Sequence, residues 1–497
     1  MTMEINKTGL LPEARLIFEK SRKGLRAAIP PDSGVERDPE KIPERFRRRT
    51  KPSLPELGQP ELVRHFTNMS RLNFCIDTVF YPLGSCTMKH NPRVNEAAAA
   101  QPGFLQIHPD TPLKKAQGIL RIGYELMRQL AELTGLPGVS LQPAAGAHGE
   151  LTSMLIIKAR LEDLGEKERN VILIPDTAHG TNPASAHYAG FKPRKITSGP
   201  DGNIDIEDLK KNIDDRIAGI MITNPNTLGL FEKRIAEVCD MVHQAGGLVY
   251  MDGANFNAIM GIVRPADFGT DLMHMNLHKT FSTPHGGGGP GAGPIAVTKE
   301  LEPYLPDPLI IQNGDGLYEL TEDREKSIGR MRTGAGNLGV IVRAWAYIRT
   351  LGLEGLRQTA ETAVLNANYL RKKLKDHFEI PFGESCMHEF VLSASRQKKK
   401  GARALDFAKN LIDYSIHPPT IYFPLIVNEA MMIEPTETES PETLDRFASV
   451  MIQMNAQLEE NPEELTRSPV NTPVTRLDEL SAARKPVLSW PEEEEDV

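Results

Sequence analysis

Only four cysteines occur in the 497 residues, Cys75, Cys86, Cys239 and Cys386. No two of them form a CxxC pair. Neither a zinc cage nor a disulfide framework is indicated, no metal site is expected, and the usage fits a reducing cytoplasm. No run approaches the ~18 apolar residues that span a bilayer, so no membrane partner is expected. Basic residues are outnumbered, 58 against 66 acidic, for a net charge of −8. A nucleic-acid scaffold is therefore a poor fit. No internal repeat of solenoid period is found. Glu4, Glu13 and Glu19 interrupt the basic residues of the N-terminus, which argues against a signal or transit peptide. What remains is 40% apolar and 25% charged residues, the balance of a globular protein with a large core. At ~150 residues per domain, two or three domains are expected.

The first part of the chain is irregular and rich in proline and charge. The basic run Arg45 to Arg49 follows Glu36, Asp38, Glu40 and Glu44 and reads as a solvated arm or subunit-contact segment. From residue 115 the pattern changes. Ile119, Leu120, Ile122, Leu126, Leu130 and Leu133 recur at helical spacing, and a turn follows at Gly135 to Gly138. Apolar β-rich runs then appear at 171–174, 217–222, 248–251, 272–277 and 294–297, separated by helical stretches such as 150–161 and 234–245. Continuous apolar strands alternating with helices predict a parallel sheet covered on both faces. After a long helix at 337–350, strands at 390–394, 422–427 and 431–433 and helices at 402–414 and 441–458 predict a smaller α+β domain. The expected divisions are an arm at 1–114, a large α/β domain at 115–335, a small domain at 336–460 and a tail at 461–497. The tail ends in the acidic run Glu492 to Asp496 and is expected to wrap the surface or remain partly unfolded.

Ligands of open parallel sheets bind at the carboxyl ends of the strands. The segments following the expected strands carry His179, then Asn224, then Asp252, then His278, Lys279 and Thr280. A lysine at such an edge, partly desolvated, exposes its amine as a nucleophile. Asp252 is suited to keep a pyridinium nitrogen protonated, the partnership that pyridoxal phosphate needs to act as an electron sink. Pro143 to Gly149 is a turn of small residues leading into a helix, where free backbone N–H groups favour a phosphate. His179 has a flat ring beside Gly180 that suits a planar cofactor. Taken singly each has an ordinary reading: a solvated lysine, a capping aspartate, a plain helix start, a packing histidine. Their convergence on one edge is what carries weight. The run Gly286-x-Gly288-x-x-Gly291 has the form of a dinucleotide fingerprint. No strand leads into it, and Pro290 and Pro294 deny it a following helix, so it is rejected.

The segments Asn276 to Phe281 and Pro284 to Gly291 resemble the cofactor-lysine region of the glycine cleavage system P-protein family. Tyr81 to Lys89, Gln142 to Gly149, Ala178 to Ala186, His388 to Phe390 and Glu434 to Glu437 extend the resemblance over residues 70–450. The single-chain form of that family is about twice as long. This chain is similar to its C-terminal, cofactor-bearing half, the pattern of subunit 2 in a two-subunit enzyme. The resemblance implies a type I pyridoxal-phosphate fold, aspartate-aminotransferase-like, with a smaller C-terminal α+β domain. It implies that Lys279 carries pyridoxal 5'-phosphate as a Schiff base, that Asp252 pairs with the pyridine nitrogen and that His179 stacks on the ring. Ala145, Gly146 and Ala147 would donate backbone N–H groups to the phosphate, with Thr280 or His278 in support. Asn224 stands where related folds contact the phenolic oxygen, and Ala254 is counted with the cofactor pocket. Arg332 is named for the glycine carboxylate.

The implied reaction decarboxylates glycine and passes the aminomethyl group to the lipoyl arm of the H-protein. The implied assembly is two of these chains with two of subunit 1. Two alternatives share many of these residues. One is another pyridoxal-phosphate enzyme of the same fold, an aminotransferase or amino-acid decarboxylase. The other is a non-catalytic assembly subunit, against which the Lys279/Asp252 pair speaks.

Overall fold

The computed structural model describes residues 15–35, 41–50, 52–286 and 290–489. Glu4, Glu13, Glu36, Asp38, Glu40, Gly288 and the acidic end Glu492 to Asp496 lie outside them. The chain divides into two compact units, Met1–Cys75 with Pro469–Val497, and Ile76–Ser468. In the first unit the helix Gln59–Arg71 is the longest element. Arg45 to Arg49 are exposed there, and the Arg45 guanidinium lies 4.6 Å from the centroid of the Phe46 ring.

The second unit is built on a seven-stranded sheet. Its strands are β1 (Gly138–Ser140), β2 (Val171–Pro175), β3 (Lys192–Ile196), β4 (Ile217–Thr223), β5 (Leu248–Gly253), β6 (Leu272–Met275) and β7 (Ile295–Val297). The spatial order is β1-β7-β6-β5-β4-β2-β3. The pairs joining β3, β2, β4, β5 and β6 are parallel, and β7 runs antiparallel to both β6 and β1. Every residue of β2 and β4 is buried, as the unbroken apolar runs require of strands covered on both faces. The edge strand β3 (KPRKI) is mostly exposed and has no apolar pattern, so sequence reading passes over it.

The helix Gln117–Thr134 buries Leu126 and Leu130 completely, each contributing about 1.5–3 kcal/mol. It ends where Gly135 turns left-handed at φ 74°. A run of 37 helical residues, Leu338–Leu374, is interrupted at Gly352, where φ is 62°. Val340, Ile341, Tyr347 and Ile348 before the break pack into the core beneath the large sheet. Ala367, Leu370 and Leu374 beyond it pack into the core of a second, antiparallel sheet. A hairpin of β8 (Ile310–Gln312) and β9 (Tyr318–Leu320) precedes that helix. The second sheet has the order β10-β12-β11, with β10 at Phe390–Ser393, β11 at Thr420–Ile421 and β12 at Ala430–Ile433. The helices Ala404–Asp413 and Pro441–Glu460 bury their apolar sides in the same core.

The strand expected at 422–427 is not one. Only Thr420–Ile421 pairs with β12, and the following residues form turns. Tyr422 is left-handed at φ 60° and Pro424 has no N–H to give to a ladder, so apolar content there does not make a strand.

Candidate active site

The register of the parallel strands assembles the site. Thr223 on β4 is level with Asp252 on β5, and Asp252 with His274 on β6. Just beyond β6, the backbone N–H groups of Lys279 and Thr280 both donate to the Asn276 carbonyl, at 3.0 and 3.1 Å. This tight turn presents Lys279, half-buried, at the same edge.

Asp252 is fully buried. It accepts from Asn182 Nδ2 at 3.0 Å and from the Ala254 N–H at 2.9 Å, and its Oδ2 lies 2.9 Å from His179 Nδ1. Burial alone would raise its pKa. The charges of His179 and His274, with the bonds from His179 and Ala254, outweigh burial and hold the carboxyl well below the usual range. Asp252 is thus an ionised carboxylate in a dry place. Sequence reading missed the support behind it. His274 Nε2 lies 3.6 Å from Asp252 and 2.7 Å from Asn276 Oδ1, while its Nδ1 meets the Tyr250 hydroxyl at 2.5 Å. The available signal was a histidine inside an apolar strand.

His179 is tied by its N–H to Thr223 Oγ1 at 3.1 Å, and its Nε2 is buried without a partner. The helix Gly146–Asp163 begins directly at the small-residue turn, and its N-cap Ala145 supplies no side-chain cap. A Cβ on Gly146 would approach Asn276 Nδ2 to 2.5 Å, and one on Gly293 would meet the Ala145 carbonyl at 2.0 Å. Only glycines let these strand-end loops pass so close to the helix start. His278 is driven down to about 3 by burial first and by the Lys279 charge second. It is neutral, with Nε2 3.2 Å from Asn276 Nδ2. Gly291 packs so near that a Cβ would lie 2.9 Å from His278 Nδ1. That close approach is the use of this glycine, in place of dinucleotide binding.

The residues suit pyridoxal phosphate. Asn224 Nδ2, Thr280 Oγ1, Asn182 Oδ1 and His179 Nε2 are all buried without hydrogen-bond partners, although buried polar atoms are normally paired. A helix start with free N–H groups fits a phosphate, and an ionised buried carboxylate fits a ring N–H⁺. Arg332 Nη1 bonds Asn337 Oδ1 at 2.5 Å, and its charge bears on His148.

Lys89 received no role from the sequence. It is 3% exposed, and its ammonium reaches Glu437 Oε1 at 2.8 Å, Asn257 Oδ1 at 2.8 Å, the Thr280 carbonyl at 2.9 Å and the Tyr347 hydroxyl at 3.2 Å. It ties the lysine turn to the segment after β12. Lys89→Met strips the part-buried Glu437 of its cation and leaves it the 3.3 Å bond from Asn257 Nδ2, so the fold is expected to lose about 3 kcal/mol. Denaturant unfolding checks this, and a loss below about 1 kcal/mol contradicts the pinning role.

A crossed-over, mainly parallel sheet with lysine, ionised aspartate and histidine at its carboxyl edge defines a fold-type-I pyridoxal-phosphate-dependent enzyme. Residues 359–473 match the family model described as glycine dehydrogenase, C-terminal domain, and residues 149–376 match aminotransferase class-V. A probable glycine dehydrogenase (decarboxylating) subunit 2 from Staphylococcus haemolyticus is 54% identical, covering 96% of this chain and 97% of the relative. Its counterpart from Thermotoga maritima is 54% identical, covering 95% and 99%. Among solved structures, an inhibitor-bound glycine decarboxylase (P-protein) of the glycine cleavage system superposes with a TM-score of 0.71 at 21% identity, covering 83% of this chain and 93% of that one. A cysteine desulfurase from Thermococcus onnurineus does so at 0.60 and 18%, covering 76% and 95%. The chain belongs to the glycine dehydrogenase (decarboxylating) subunit 2 family.

Proposed function

We propose that this chain decarboxylates glycine with pyridoxal phosphate and transfers the aminomethyl group to the lipoyl arm of the H-protein, releasing CO₂. The observation that carries the reading is the meeting of Lys279 with the Asp252–His179–Asn182 cluster at one sheet edge. The family gives that edge its substrate.

Bound covalently to Lys279, the cofactor supplies an electron sink for the pair left behind by the departing carboxylate. Asp252, ionised and fixed by three donors, keeps the ring nitrogen protonated. His179 would stack on the ring, oriented by its Nδ1 contact with Asp252. Ala145, Gly146 and Ala147 give N–H groups to the phosphate, with the Thr280 hydroxyl or His278 beside them. Asn224 offers its free amide to the phenolic oxygen, and Ala254 lines the pocket. The walls exclude water: Asp252, His274 and Thr280 are almost fully buried. A dry site favours a step in which a carboxylate loses its charge as CO₂.

Subunit 1 completes the enzyme in an assembly of two plus two, and the lipoylated H-protein is the acceptor. Within the expected arm 1–114, Ser85, Thr87 and Lys89 pack into the site, so the embrace of the partner falls to the residues before them and to the tail at 461–497, around a large domain at 115–335 and a small one at 336–460. The working compartment is the cytoplasm, in keeping with only four cysteines, none of them in a CxxC pair. No described helix is long and apolar enough to cross a membrane.

Exchange of labelled bicarbonate into the glycine carboxyl is the test. We expect full exchange when the chain is mixed with subunit 1 and H-protein, and little from the chain with H-protein alone. Full exchange by the isolated chain overturns the two-subunit reading. No exchange in the complete mixture, with amino-group transfer in its place, overturns the reaction.

A further inference from the structure

Beside Lys279 lies a second polar cluster that the chemistry above leaves unused. Ser85 and Thr87 are both left-handed, at φ 58° and 46°, a conformation that costs energy for residues other than glycine. Each clasps one glutamate. Ser85 donates its N–H to Glu389 Oε2 at 2.6 Å and its hydroxyl to Oε1 at 3.0 Å, and Asn255 Nδ2 adds a bond to Oε1 at 3.2 Å. Thr87 donates its N–H to Glu434 Oε2 at 2.9 Å and its hydroxyl to Oε1 at 2.6 Å. Both glutamates are 0% exposed, as is His388. The imidazole Nε2 lies 3.9 Å from Glu389 and 3.8 Å from Glu434, and neither ring nitrogen has a hydrogen-bond partner. One ligand-type atom from each of the three groups falls within 4.8 Å of the others.

Two carboxyls so close, out of water, with no lysine or arginine in ion-pair contact among the described residues, do not both carry charge. Burial raises Glu389 well above the usual range and the Glu434 charge adds to it, against the bonds from Ser85. Glu434 is raised to about 7, by burial first, against the bonds from Thr87. The surrounding groups do not reverse this. Burial lowers His388 to about 3, with the His179 and Lys279 charges acting the same way, so its ring is neutral. Burial raises the Cys86 thiol between the two clasps. The Glu437 charge disfavours ionisation of Glu434. The facing cation is Lys279, whose charge bears on Glu389, Glu434, Cys86 and His388 alike.

We propose that Glu389 and Glu434 share one proton at neutral pH and exchange it with the amine of Lys279. An amine that releases its covalent partner stays away while protonated and returns only after losing that proton. In the forward direction a carboxyl O–H bond breaks and an N–H bond forms on the Lys279 lone pair, leaving a carboxylate and an ammonium. The reverse restores both. No electrons change owner and no co-reactant is needed. The neutral His388 ring lies near both carboxyls, 3.9 Å from Glu389 and 3.8 Å from Glu434. The exchange rests on Lys279 being the amine that holds the cofactor; the shared proton does not.

Infrared spectroscopy of the full chain without cofactor tests the proposal apart from glycine, H-protein and turnover. A protonated-carboxyl stretch is expected at about pH 7, where ordinary carboxyls are ionised. It is expected to fade as pH rises and to diminish at neutral pH in the doubly substituted Glu389→Gln/Glu434→Gln chain, because burial alone keeps either carboxyl protonated when the other is replaced. In Lys279→Ala, loss of the facing cation is expected to move its disappearance upward by about one pH unit. Absence of the band in the unmodified chain overturns the shared proton, as does an undiminished band in the doubly substituted chain. If that variant does not fold, the unmodified chain and Lys279→Ala still decide. A band whose pH dependence ignores Lys279→Ala overturns the exchange.

Discussion

Lys279→Ala is expected to abolish borohydride-fixable cofactor and to lower glycine–bicarbonate exchange by roughly 10³-fold or more. The fold is expected to survive. Lys279 makes no ion pair among the described residues, and its turn is held by the Asn276 carbonyl on one side and by Lys89 on the other. None of these bonds uses the Lys279 side chain. Reduction of the unmodified holoenzyme followed by peptide mapping should place the pyridoxyl group on residue 279. A label on another lysine, or a yellow and active alanine variant, contradicts the assignment.

Asp252→Asn is expected to keep the cofactor but raise the barrier by about 3 kcal/mol, close to a hundredfold in rate. The amide fills the same space and retains an oxygen for the Ala254 N–H. Its NH₂ end, however, meets the donors Asn182 Nδ2 and His179 Nδ1, and it has no charge to balance a protonated ring nitrogen. The measurement is exchange rate at matched cofactor occupancy, followed by absorbance. A near-normal rate contradicts the electron-sink role. A rate lost together with cofactor indicates that Asp252 mainly retains the ring.

The two effects have different sources. In the proposed mechanism Lys279 acts through a bond it forms, so no substitute lacking an amine is expected to replace it. Asp252 acts through a charge that the fold keeps ionised against burial, so its worth depends on the His179, His274 and Ala254 contacts around it.

The sequence by itself determined five apolar strands of the seven-stranded sheet and the residues at its carboxyl edge, while β1, β3 and the antiparallel course of β7 came from the tertiary structure. Burial on both faces demands unbroken runs such as 171–174 and 217–222, and a parallel sheet sends its chemistry to one end. His179, Asn224, Asp252 and Lys279 were therefore legible from position alone, and the segment resemblance gave the family. Tertiary structure decided what local pattern does not encode. The exposed edge strand β3 carries no apolar signature, and 422–427 carries one without forming a strand, because ladder pairing depends on neighbours and on available N–H groups. Lys89, Glu389 and Glu434 stand 168 residues or more from the partners that give them meaning, Asn257, Ser85 and Thr87. Their charge states are set by burial and by the groups buried with them: against burial, Glu437 and Tyr347 hold Lys89 above its usual range, while burial raises both glutamates. Both are properties of the assembled fold: a lysine and two glutamates are ordinary solvated residues until distant segments close over them.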